Sequence, residues 1–387
     1  MGLTDLDLEE LLAHAEHLDR LALPGQVPES LSRRPVHTCY VPADRFGPST
    51  VTDWGAQALQ SIEAHGLPDF AESTVDMVRA KLAVEPVEDL RVDFEDGYGF
   101  RPDDVEDAHA LAAGAALRSA ATPFSGLRIK SLEPATVLRG ARTLDLVLTA
   151  LGPPPPGFVV TIPKPTSVAH VDTAVLLCRQ LEHAHGLEEG RLRFELQVET
   201  PQAVLGADGR SPLPQMILAA HGRLSGLHYG TYDYSTALGV APAHQALDHP
   251  VADHAKSVMQ VAVAGTGVHV ADGSTNILPV GDTAAVHAAW RLHARLVRRG
   301  LERGIYQGWD LHPGQLPTRY AATFSFYLDG LVEARRRLDA YLSRRDSGIL
   351  DEPATARAIA RFLLRGVHCG ALSASSVGRP IEDLEAL

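Results

Sequence analysis

The sequence predicts an α/β protein built as a (β/α)8 TIM barrel with N-terminal and C-terminal helical extensions. Two observations predict it. Eight strand-like runs alternate with Ala- and Leu-rich helical stretches, and several of those runs separate an apolar face from a charged one. An open doubly wound sheet is the alternative that the same alternation allows.

The first strand-like run is VHTCYVPA (36–43). The second, LRVDFED (90–96), puts Leu90, Val92 and Phe94 on one face and Arg91, Asp93 and Glu95 on the other, because side chains alternate along a strand. PDDVEDAHALAAGAALRSAA (102–121) follows as a helix, with acidic residues in its first turn where the helix dipole favours them. LRIKS (127–131) opposes Leu127 and Ile129 to Arg128 and Lys130. GPPPPG (152–157) is a stiff connector that can be neither helix nor central strand, and it leads into FVVTIPK (158–164). A helical stretch over 167–186 separates this run from RFELQVET (193–200), where Phe194, Leu196 and Val198 oppose Arg193, Glu195, Gln197 and Glu199. GADGRSPLPQ (206–215) reads as a surface loop. LSGLHYGTYD (224–233), GVHVAD (267–272) and GWDLHP (308–313) complete the eight, with a further helix over 283–304. Residues 1–35 read as an N-terminal helical extension, 36–317 as the barrel, and 318–387 as a C-terminal helical cap or oligomerisation segment.

In a barrel the apolar faces would pack on the helix ring and the charged faces would line the lumen. A lumen usually holds layers of Val, Ile and Leu, so charge there must pair, bind metal or face water at the mouth. The inventory is Arg91, Arg128, Lys130 and Arg193 against Asp93, Glu95, Glu195, Glu199, Asp233 and Asp310. Arg91 and Arg193, low in the strands, suit a structural network. Asp96, Lys130, Glu199 and Asp233 stand at strand ends, where barrel enzymes keep their chemistry.

At 387 residues and 45% hydrophobic, the chain can bury a large core. No apolar run approaches the ~20 residues needed to span a bilayer, so no membrane association is expected. The acidic, amphipathic N-terminus and three scattered cysteines (Cys39, Cys178, Cys369) suit a reducing cytoplasm. A formal net charge of −13 argues against nucleic acid or an anionic membrane as partner, while a local cluster of Arg and Lys still permits small anions. His244, His249 and His254 do not share a helix face, so they do not form a zinc motif. GTGVHVADG (265–273) precedes a strand instead of following one, which argues against a dinucleotide fingerprint.

Seven segments in order carry a resemblance: YVPADR (40–45), VDFEDGYG (92–99), RIKS (128–131), TIPKPTS (161–167), VETPQAV (198–204), HYGTYDYSTALG (228–239) and GWDLHPGQ (308–315). Together they resemble the citrate lyase beta-subunit-like and HpcH/HpaI aldolase superfamily, and DFED and DY are also similar to malate synthases. The resemblance favours the closed barrel. It implies one divalent cation, Mg²⁺ or Mn²⁺, and carbon–carbon bond chemistry next to a carbonyl.

The resemblance makes Glu199 and Asp233 the metal ligands, with Gly230 and Thr231 leaving room for substrate beside Asp233. Hard carboxylate oxygens are what Mg²⁺ prefers. Arg128 matches the catalytic arginine, whose fork can hold a carboxylate or thioester oxygen. Asp96 and Glu95 are the candidates for general base, with orientation of metal-bound water as their other role. Lys130 stands where relatives carry Asn, which implies a more anionic substrate or an internal partner for Glu95 or Asp96. Lys164 is a second anion contact or a surface lysine, and His312 a pocket residue or a structural one. The implied activity is a Mg²⁺-dependent carbon–carbon lyase or aldolase. It would act on a 2-oxo acid or hydroxy acid, free or as a CoA thioester, through a metal-stabilised enolate. The alternatives are a malate-synthase-like condensation of an acyl-CoA with a 2-oxo acid, and a non-catalytic metabolite-binding barrel. Expected partners are a small anionic carboxylate, a CoA thioester in the condensation case, and further copies of the chain in a homo-oligomer.

Overall fold

The computed structural model describes residues 32–343 and 352–387. The expected extension over 1–35 lies almost wholly outside the described residues. Eight parallel strands run β1 (His37–Pro42), β2 (Asp89–Asp93), β3 (Phe124–Arg128), β4 (Phe158–Ile162), β5 (Arg193–Val198), β6 (Leu224–Tyr229), β7 (His269–Ala271) and β8 (Gly308–Asp310). Their order is β7-β6-β5-β4-β3-β2-β1-β8. A parallel bridge between Ala271 and Gln307 brings the two ends together. The Asp272 N–H donates to the Gln307 carbonyl at 2.8 Å beside it. The sheet is therefore a barrel and not an open doubly wound sheet.

The face assignment follows the sequence reading. Leu90, Val92, Leu127, Val160, Phe194, Leu196 and Leu227 are buried in the apolar core. The opposite face meets itself across the lumen: Arg91 on β2 reaches Glu195 on β5 at 3.0 and 3.1 Å. Trp309 on β8 donates to His228 Nδ1 on β6 at 2.8 Å. That bond leaves the proton on His228 Nε2, which lies 3.0 Å from Glu195. Thr161 adds a bond to Glu195 at 2.6 Å, and Arg91 also pairs with Asp89. Every charge in this lower layer thus has a partner, as burial requires. Arg193, by contrast, opens at the N-terminal end of the barrel and makes its bond to the Leu224 carbonyl at 3.4 Å.

Asp310 corrects the lumen inventory. Trp309 takes the inward position on the short β8, so alternation turns Asp310 outward, toward the helices. There it is fully buried and accepts two bonds from Arg319, at 3.1 and 3.0 Å. His293 Nε2 lies 3.1 Å away. His37 Nδ1 lies 2.9 Å from Asp310, while His37 Nε2 accepts from the Glu88 N–H at 3.0 Å, so the His37 proton sits on Nδ1.

β3 begins three residues before the expected run, at Phe124, and ends at Arg128. Gly126 weakens the strand signal, yet a Cβ there would stand 1.8 Å from the Val159 carbonyl oxygen. The helix Leu316–Leu342 directly follows β8 and packs on Thr283–Glu302 and Val75–Val84, so it completes the ring. It runs across residue 318, where the C-terminal segment was expected to start. Pro353–His368 packs on it, and Ile381–Glu385 packs in turn on Pro353–His368. No helix among the described residues is long and apolar enough to cross a membrane.

Arg91→Met leaves Glu195 and Asp89 as uncompensated buried charges. We expect a loss of about 3–5 kcal/mol in urea unfolding, and recovery of much of it in an Arg91→Met/Glu195→Leu double variant.

Candidate active site

Asp93 ends β2 and organises the turn beyond it. Its two oxygens accept the N–H groups of Glu95 and Gly97, each at 2.9 Å. Gly97 is required here, since a Cβ would stand 2.5 Å from Asp93 Oδ2. The same two oxygens take a bidentate grip from Arg128 at the end of β3, both bonds at 2.7 Å. Arg128 also donates to Gln197 Oε1 at 3.0 Å and lies 3.4 Å from Glu95. Its guanidinium stacks 5.0 Å over the Tyr40 ring and 5.9 Å from that of Trp309. Burial opposes the charge on Arg128, but Asp93 and Glu95 raise its pKa well above the ordinary value.

Gln197 passes this order on: its amide donates to Glu199 Oε2 at 2.5 Å. Glu199 follows β5 and is 1% exposed. Burial pushes its carboxyl up to about 8, with Lys164 pulling the other way. Gly230, after β6, makes the space, because a Cβ there would lie 2.4 Å from Glu199 Cβ. Asp233, in the first turn of the following short helix, faces the same place. Oxygens of Asp96, Glu199 and Asp233 all lie within 4.8 Å of one another. Asp96 and Asp233 are half exposed, so the cluster opens to solvent on one side.

Lys164 enters from β4. It is one of two non-glycine residues with positive φ among the described residues, at 54°. Its N–H donates to Glu199 Oε1 at 2.9 Å. Its ammonium bonds Glu95 and Asp96, the latter at 3.1 and 3.2 Å. It also lies 3.8 Å from Asp233 and 4.0 Å from Glu199. Burial alone would lower its pKa, and Glu199 and Glu95 raise it above the ordinary value.

Of the residues singled out from sequence, the fold brings Glu95, Asp96, Arg128, Lys164, Glu199, Gly230 and Asp233 together. It does not bring Lys130. β3 ends at Arg128, alternation stops, and the Lys130 ammonium turns to Glu106 on the helix Asp103–Leu117 at 2.9 Å. It also ties down the carbonyls of Phe94 and Gly99, at 2.7 and 3.2 Å. Lys130 is thus spent under the loop, and its partner is neither Glu95 nor Asp96. The Thr231 hydroxyl donates to the Ser274 carbonyl at 3.2 Å, so its contact runs to the loop after β7. His312 Nδ1 accepts the Gly314 N–H at 3.0 Å, capping the short turn after β8.

Sequence reasoning missed Gln197 as the bridge between Arg128 and Glu199, and Tyr40 and Trp309 as the rings around Arg128. The signal for Gln197 was its place two residues before Glu199, on the same strand face. No comparable signal marks Trp309, whose partner strands lie far away in the chain.

A closed barrel with a carboxylate cluster and a pinned arginine at its C-terminal mouth is the class of protein these features define. The chain belongs to the family described as a domain of unknown function (DUF6986), which matches residues 12–386. No curated protein matches it in sequence. Among solved structures, CitE from Mycobacterium tuberculosis, in complex with magnesium, acetoacetate and coenzyme A, is similar with 19% identity and a TM-score of 0.53. That match covers 88% of this chain and 100% of CitE. The magnesium/glyoxylate complex of Haloferax volcanii malate synthase is similar with 16% identity and a TM-score of 0.52, over 85% and 97% of the two chains. The pyruvate/acetyl-CoA ternary complex of the same enzyme gives 14% identity and 0.51, over 86% and 92%. The barrel fold is shared with both the citrate lyase beta-type and malate synthase proteins.

Gly230→Ala forces Glu199 to move. We expect a loss of about 1–3 kcal/mol in urea unfolding, the usual cost of overpacking.

Proposed function

We propose that the protein is a divalent-metal-dependent enzyme that makes or breaks a carbon–carbon bond beside the carbonyl of a small 2-oxo or hydroxy acid. The observation that carries this reading is the meeting of Asp96, Glu199 and Asp233 beside a buried arginine. The donor set suits a hard cation such as Mg²⁺ or Mn²⁺, which takes carboxylate oxygens and leaves positions for water and substrate. Gly230 supports the fit by leaving Glu199 the room a side chain would fill. Glu199 and Asp233, joined by Asp96, would hold the ion. When bound, it supplies Lewis-acid stabilisation of negative charge on substrate oxygens.

Arg128 supplies the fixed positive charge. Asp93 and Gln197 take three of its five N–H donors, Nη1 also lies 3.4 Å from Glu95, and the second N–H of Nη2 is left to meet a substrate carboxylate or carbonyl oxygen. Because the fork is held from behind, it needs little reorganisation when charge develops on that oxygen. Glu95 is the carboxylate of the mouth that lies outside the ligand set, between Arg128 and Lys164. Burial holds its carboxyl above the usual range, against the pull of Arg128. In cleavage it would take the substrate hydroxyl proton, and in condensation the α-proton. This replaces the roles expected of Asp96, general base or orientation of metal-bound water, with that of a ligand.

A second reading is condensation of an acyl-CoA with a 2-oxo acid. It is favoured by the coenzyme A and acetyl-CoA in the complexes of the two similar proteins. A thermal-shift screen of pyruvate, oxaloacetate, glyoxylate and acetyl-CoA, each with and without Mg²⁺, separates the two. Stabilisation by oxo acids alone favours cleavage, and added stabilisation by acetyl-CoA favours condensation.

Glu199→Gln and Asp233→Asn should each abolish Mg²⁺ binding in calorimetry and turnover together. Retention of both properties in both variants would sink the reading. Arg128→Lys should keep Mg²⁺ binding while lowering kcat by roughly 10²–10³.

A further inference from the structure

We infer that Lys164 is a built-in counter-cation: its ammonium holds the carboxylate cluster together in the metal-free protein and gives way when a divalent cation enters. This rests on the metal-site reading above and goes beyond it, because it assigns the cluster two alternative cations.

Glu95, Asp96, Glu199 and Asp233 converge on one place, and the Lys164 ammonium stands within 4.0 Å of an oxygen of each. Arg128 is the other cation in contact, reaching Glu95 at 3.4 Å, but its bidentate grip is spent on Asp93. Without Lys164, four carboxyl groups would face one another across a few ångströms with no ammonium between them, one of them on a fully buried side chain.

The backbone gives an independent observation. Lys164 adopts a φ of 54°, a region that L-residues other than Asn and Asp visit rarely. It does so directly before Pro165, which restricts its conformation further. Strain of this kind persists where the surroundings over-determine it, and it gathers at ligand clamps and active sites. Here it lets one residue aim both its N–H, at Glu199, and its ammonium into the same cluster.

An ammonium and a divalent cation drawing on the same oxygens repel each other at such separations, so the ion binds more tightly once the ammonium has moved away. The side chain is 27% exposed, so its way out leads toward solvent at the mouth. Displaced there, the tethered ammonium would face an incoming anionic acid. Metal would then bind before substrate, and its binding would free a cation for the substrate carboxylate.

The test uses the full chain stripped with chelator, as wild type, Lys164→Met and Lys164→Arg. Melting without metal and Mg²⁺ calorimetry are the readouts. Lys164→Met should melt lower than wild type without metal, bind Mg²⁺ at least about ten-fold more tightly, and gain more Tm on loading. Lys164→Arg, which keeps the charge, should stay near wild type in both. Adding Glu95→Gln to Lys164→Met should restore metal-free melting, which separates lost charge balance from a packing defect. If wild type binds Mg²⁺ and Lys164→Met neither melts lower nor binds more tightly, the inference is overturned and the metal site stands. If neither wild type nor Lys164→Met binds Mg²⁺, the metal-site reading itself fails, and the displacement fails with it.

Discussion

Asp93 and Arg128 form the pair on which the mouth of the barrel is built. Two oxygens of one carboxylate do two jobs. They pin the arginine in a fork of 2.7 Å bonds, and they fold the chain after β2 by accepting two backbone N–H groups. The turn lifts Glu95 and Asp96 to the rim. Gln197 takes a third donor of the arginine and carries the order across to Glu199. Charge-assisted bonds of this geometry are among the strong ones, and burial keeps water from competing for them.

The lumen supports that pair with polarity where most barrels use aliphatic layers. Arg91, Glu195, Asp89, Thr161 and His228 form a connected set just below, and Tyr40 and Trp309 wall the arginine with aromatic faces. Such buried networks add little stability compared with a well-packed apolar core, since desolvation consumes most of the attraction. What they supply here is geometry: each side chain has few alternative partners, so the inward groups hold one arrangement. The site can then use ordinary residues, because their positions are decided from beneath.

The strands were legible because their signal is local. Seven of the eight expected runs coincide with strands to within a few residues at either end. β3 was displaced by three residues, since Gly126 hides a strand whose close approach to β4 demands that glycine. The two-faced reading of β2 and β5 carried over intact. The lumen inventory failed at element ends. Lys130 lies past the last paired residue of β3, and Asp310 sits on a strand three residues long where Trp309 took the inward place. Both charges went to the helix layer instead, Lys130 to Glu106 and Asp310 to Arg319. For the site, strand-end position brought out Asp96, Glu199 and Asp233 and the family resemblance brought out Arg128, but neither brought out Gln197, whose importance lies in the two side chains it touches.

By itself the sequence determined the order of strands and helices, and which side chains share a strand face. Both follow from periodicities of a few residues that no distant contact can change. Which charge meets which was decided only in the folded barrel. Arg91 and Glu195 are 104 positions apart and Lys164 and Glu95 are 69, so nothing along the chain relates them. Closure of the sheet makes them neighbours, and desolvation then compels each buried charge to take whatever partner that closure supplies.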